Sequence, residues 1–64
     1  MRVNGKDITL KEVKTISDFL KESNYNLGRI VIELNGEIVS KDKYSTINLK
    51  DTDVMEVLTF VGGG

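Results

Sequence analysis

The sequence predicts an α+β fold of two layers, a β-sheet with one helix lying across one face. Three observations predict it. Apolar residues recur at helical spacing in one short stretch, Ile16, Phe19 and Leu20. The other apolar residues fall in short runs rich in β-branched side chains, two of them followed by Asn-Gly, a pair suited to tight hairpins because both residues tolerate positive φ. A helix of about eight residues cannot cover both faces of a sheet, so the second face is left to water.

The chain has 64 residues, 39% of them hydrophobic, which is the composition of one ordinary globular domain. A domain of this size buries only about 60% of its unfolded surface, so its stability margin is thin. There is no cysteine and no histidine. Disulfides, thiolate nucleophiles and sulfur ligands are thereby excluded, as are the usual general base near neutral pH and the commonest metal ligand. Nine basic and ten acidic residues are interspersed, giving a net charge of −1 and no field that would attract nucleic acid or an anionic membrane. Met1-Arg2-Val3-Asn4-Gly5 turns polar too early for a secretory signal, and no apolar run approaches membrane-spanning length. These features lead to the expectation of a cytoplasmic protein.

Taken in order, Met1, Val3, Ile8 and Leu10 belong to two short strands joined at Asn4-Gly5. The spacing predicts a helix from about Ile16 to Ser23, with Thr15 as its cap, Asp18 near its positive end and Lys21 near its negative end. The run from Asn24 to Gly28 ends it with residues that accept left-handed backbone. Arg29 to Leu34 reads as a strand, Asn35-Gly36 as a turn and Glu37 to Val39 as the returning strand. Ser40 to Ser45 is polar and expected to be irregular, anchored by Tyr44. Ile47 and Leu49 form a short segment, and Asp51-Thr52-Asp53 turns into the last and most apolar strand, which starts at Val54.

Successive side chains of a strand point to opposite faces, so the last strand can be assigned by parity. Glu56 belongs on the open face, because burying an unpaired carboxylate is very costly. Met55 and Val57 then pack beneath the helix, while Leu58 and Phe60 share the side of Glu56. In the preceding long strand Arg29, Glu33 and Asn35 mark the same face and take Val31 with them. If the two strands are neighbours, Val31, Leu58 and Phe60 form an exposed apolar patch of the kind that marks a partner surface.

After Val61 come Gly62, Gly63 and Gly64. Without a Cβ, glycines let another backbone approach closely, and three of them extended reach roughly 10 Å. The expectation is therefore a domain over 1–61 followed by a flexible tail over 62–64, thin enough to thread a partner's active site. Its terminal carboxylate, with an ordinary pKa of about 3.3–3.7, is ionised at neutral pH. An ATP-using enzyme could activate it as an acyl-adenylate. Catalysis by the chain itself is disfavoured: no activated nucleophile is paired with a base, and Asp51 and Asp53 fall short of a cation loop. The glycines also precede no Lys-Ser or Lys-Thr, as a phosphate loop requires.

Three segments, Val3-Asn4-Gly5, Ile32 to Val39 and Asp53 to Gly64, carry a resemblance that spans the chain. It resembles the ThiS family, the sulfur carriers of thiamine biosynthesis within the ubiquitin-like β-grasp group. The resemblance implies a mixed sheet of four to five strands with the first and last parallel and adjacent, and one main helix across one face. It further implies that an E1-like adenylating enzyme uses ATP to activate Gly64. A persulfide sulfur donor converts that group to a thiocarboxylate, and thiazole synthase receives the sulfur. On this view the chain binds no cofactor or metal and is a co-substrate, not an enzyme. Gly63 completes the family's terminal pair, and Gly62 adds reach. Three alternatives stand beside it: the small subunit of molybdopterin synthase, a ubiquitin-like protein modifier joined to lysines through Gly64, and an interaction domain with an inert tail.

Overall fold

Five strands and one helix make up the fold in a computed structural model that describes residues 1–10 and 14–60. The strands are β1 (Arg2–Val3), β2 (Lys6–Asp7), β3 (Ile30–Leu34), β4 (Glu37–Val39) and β5 (Val54–Thr59), and the helix is α1 (Ile16–Ser23). Their order in the sheet is β2-β1-β5-β3-β4, so the last strand lies at the centre. β1 runs parallel to β5, and the other three pairings are antiparallel. No helix among the described residues is long and apolar enough to cross a membrane.

The helix covers one face of this sheet. Ile16, Phe19 and Leu20 are buried in a single cluster with Val3, Ile30, Ile32, Met55 and Val57. An eight-residue helix is marginal by itself, and its first turn is held by bonds from outside it. The Ile16 N–H donates to the Ile47 carbonyl at 3.3 Å and the Ser17 N–H to the Tyr44 carbonyl at 2.9 Å. The Asp18 N–H donates to Thr15 Oγ1 at 3.2 Å, and the Asp18 carboxylate accepts from the Thr15 N–H at 3.0 Å, completing a capping box. At the other end Asn24 takes the left-handed conformation, φ 58°.

Those accepted bonds hold the Asp18 carboxyl below the usual aspartate range. The Thr15 backbone N–H contributes most; the Lys14 N–H and the charge of Lys21 act in the same direction. A depressed folded-state pKa gives stability that is present above the unfolded value, near 3.9, and lost as the pH falls from there through the folded value. Urea titrations at neutral pH and near pH 3 should therefore show a larger acid loss for the native chain than for Asp18→Asn. An identical loss would mean the capping carboxylate does not couple to folding.

Sequence and structure part in four places, the first being that β2 ends at Asp7, so Ile8 and Leu10 lie beyond it. Arg29 is not in β3; it closes a 3₁₀ turn over Leu27–Arg29, whose entry is set by Asn26 accepting from the Gly28 N–H at 3.0 Å. The polar stretch expected to be irregular contains a second 3₁₀ turn, Lys41–Lys43, and this turn drives Tyr44 into the core at 5% exposure. Asp53, taken as a surface turn former, is 7% exposed. Its carboxylate is satisfied by the Lys50 N–H at 2.8 Å and by Asn35 Nδ2 at 3.0 Å.

Both Asn-Gly turns do more than reverse the chain. Asn4 and Asn35 have positive φ, 51° and 52°, as tight hairpins require. Their side chains then reach β5 from its two sides. Asn4 Oδ1 accepts from the Val57 N–H at 2.8 Å, and Asn35 Oδ1 from the Val54 N–H at 2.8 Å. The central strand is thus bonded beyond the end of two-residue β1. Asn35→Gly keeps the turn but strips one bond from Val54 and one from the buried Asp53, a loss of about 2 kcal/mol by urea denaturation. Stability within experimental error of the native chain would show these side-chain bonds to be inconsequential.

Candidate functional site

The side of the sheet away from the helix is open, and the alternation of β5 decides what it presents. Along that strand Met55 and Val57 are buried at 0% and 5% exposure, whereas Leu58 is 49% and Phe60 52% exposed. β3 runs antiparallel beside it in a register that sets Val31 opposite Leu58 and Glu33 opposite Glu56. The Phe60 N–H donates to the Arg29 carbonyl at 3.0 Å, which carries the pairing one residue past the end of the strand. Val31 is half-buried between its neighbours. The three residues expected to form an apolar patch, Val31, Leu58 and Phe60, are therefore brought together on the open face.

Two further apolar residues on this face were not anticipated. Ile38 is 72% exposed and sits opposite Glu33, while Val54 is 48% exposed at the start of β5. The outward turn of Ile38 follows from the register of β4 on β3. Its neighbour Val39 pairs with buried Ile32, and strand alternation then turns Ile38 outward. Across the sheet the open face thus reads as an apolar end of Val31, Leu58 and Phe60, then a row of Ile38, Glu33 and Glu56, then Val54 beside Arg2.

At its C-terminal end β5 is bonded on the β3 side, through the pairing of Ile30 with Thr59 and the Phe60 N–H, while its pairing with β1 is confined to Val54 and Met55. Gly62, Gly63 and Gly64, expected to thread a partner's active site, lie outside the described residues, as does Val61. Among the described residues no group of three His, Cys, Asp or Glu side chains converges to hold a metal ion. Asp53 is committed to Lys50 and Asn35, which leaves Asp51 alone at that turn.

Comparison with known proteins places these features in context. The model of the ThiS family matches residues 1–64. The sulfur carrier protein ThiS of Bacillus subtilis (strain 168) is 38% identical over 65 residues, which cover 100% of this chain and 98% of that protein. A thiazole synthase of Paramagnetospirillum magneticum (strain ATCC 700264 / AMB-1) is 31% identical over 62 residues, 97% of this chain but 19% of that protein. The crystal structure of the thiamine biosynthesis protein ThiS from Geobacter metallireducens superposes with a TM-score of 0.82 at 30% identity, covering 98% of this chain and 96% of that one.

Proposed function

The chain belongs to the ThiS family of sulfur carriers in thiamine biosynthesis, and on that premise we propose that Gly64 is the atom-bearing end of the carrier. An E1-like enzyme joins the Gly64 carboxylate to the α-phosphate of ATP, releasing pyrophosphate. The sulfur of a partner's persulfide then attacks the acyl carbon and AMP leaves. A thiol cleaves the resulting S–S bond, leaving the thiocarboxylate on Gly64. Thiazole synthase takes that sulfur for the thiazole ring. Gly62 and Gly63 are the thread that carries the group into each active site, and Val31, Leu58 and Phe60 are the surface on which each partner seats. The chain acts as a co-substrate, in the cytoplasm, where ATP and its partners are available.

The observation that carries this reading is a family match that includes the terminal glycines, joined to a central strand that ends in an exposed apolar patch. Glycine suits the reaction because no side chain obstructs attack at the acyl carbon. The chemistry is supplied by the partners, which agrees with a sequence that holds neither cysteine nor histidine.

Incubation with the adenylating enzyme, ATP and a persulfide donor tests it by intact mass. The expected result is a gain equal to the exchange of one oxygen for sulfur at the C-terminal glycine. Covalent ladders with other proteins would instead identify a protein modifier, and an unchanged mass would rule out the carrier.

A further inference from the structure

The open face sets two like charges on neighbouring strands opposite each other. Glu33 and Glu56 lie directly opposite each other on β3 and β5. Like charges in that position are unfavourable, and cross-strand neighbours are only about 5.5 Å apart at Cα. Among the described residues neither carboxylate forms an ion pair. Among the described residues the single ion pair is Arg2 with Asp7, 3.3 Å apart at the β1-β2 end of the sheet. Along the strands the acidic pair is bordered by Val31 and Leu58 on one side and by Val54 on the other, and Ile38 of β4 lies opposite Glu33. Glu33 is half-buried, so the surrounding apolar side chains already remove part of its water.

We propose that this face docks a thiazole synthase surface that offers an arginine or lysine between apolar side chains, the cation seating between Glu33 and Glu56. The inference rests on the sulfur-carrier reading and adds to it the charge that the receiving surface must carry. The charges are complementary by necessity. A partner that covered Val31, Leu58 and Ile38 without supplying a cation would desolvate two adjacent carboxylates with nothing to compensate them. Thiazole synthase is the partner chosen because a segment similar to this chain forms 19% of one such enzyme. Within one polypeptide the two surfaces meet at high effective concentration.

The test is the dissociation constant of the full chain for thiazole synthase, by calorimetry at low and high salt, together with urea stability. Glu33→Gln/Glu56→Gln should bind about tenfold more weakly at low salt, yet be as stable as the native chain or more so. Glu33→Lys/Glu56→Lys preserves the like-charge repulsion and hence the fold, and should bind more weakly still. Salt should weaken the native chain more than the glutamine variant. Native binding with an unaffected glutamine variant would overturn the docking proposal and leave the carrier assignment standing. Absence of any native binding would overturn both this proposal and thiazole synthase as partner.

Discussion

Deleting Gly64, or adding one residue after it, is expected to abolish sulfur loading completely while the far-ultraviolet circular dichroism and urea midpoint stay unchanged. The separation follows from where the two properties reside. Stability comes from the cluster in which Ile16, Leu20, Ile30, Ile32 and Met55 are almost fully buried, all within 1–60. Reactivity is proposed to reside in one acyl carbon whose position must match the partner's ATP to within a fraction of a bond length, and misplacement by 1 Å already costs about a hundredfold in rate. A residue more or less displaces that carbon by roughly 3.5 Å. The measurement is ATP–pyrophosphate exchange with the adenylating enzyme, followed by intact mass. Exchange at the native rate by either altered chain would refute the assignment of Gly64.

The second large effect comes from exchanging side chains on the two faces of the sheet, within β5 and just past its end. Val57→Asp places an unpaired carboxylate at a position that is 5% exposed, beneath the helix. The cost is several kcal/mol, comparable to the whole stability of a small domain, so the variant should be largely unfolded by circular dichroism. Three residues further on, Phe60→Asp alters a side chain that is 52% exposed. Its stability should change by no more than about 0.5 kcal/mol. Its affinity for partners should fall by at least about tenfold, because interface energy concentrates on large aromatic side chains of an apolar patch. An unfolded Phe60→Asp would place that ring in the core, and native affinity would remove it from the docking surface.

Much of this was legible locally. The helix boundaries were written in Thr15, the spacing of Ile16, Phe19 and Leu20, and the left-handed tolerance of Asn24, and α1 spans Ile16–Ser23. Alternation in β5 sorted Met55 and Val57 from Leu58 and Phe60, because one polar residue, Glu56, is enough to set the parity of a strand. Asp53 was misjudged for a physical reason. A lone aspartate in a turn is ordinarily solvated, and its burial here needs both the local Lys50 N–H and the amide of Asn35, 18 residues away. In the same way, Asn4 and Asn35 announced their turns by residue type but not the bonds they lend to Val57 and Val54.

By itself the sequence determined the helix, the Asn-Gly turns and which side chains of β3 and β5 face inward, since these depend on neighbours within a few positions. Membership in the ThiS family came from the same string of residues. Only the tertiary structure decided that Glu33 faces Glu56, that Ile38 joins the open face, and that loop carbonyls of Tyr44 and Ile47 complete the first turn of the helix. Those outcomes depend on the register between strands and on contacts between distant segments. Such contacts are set by how all the apolar faces close together around one core, which no local pattern specifies.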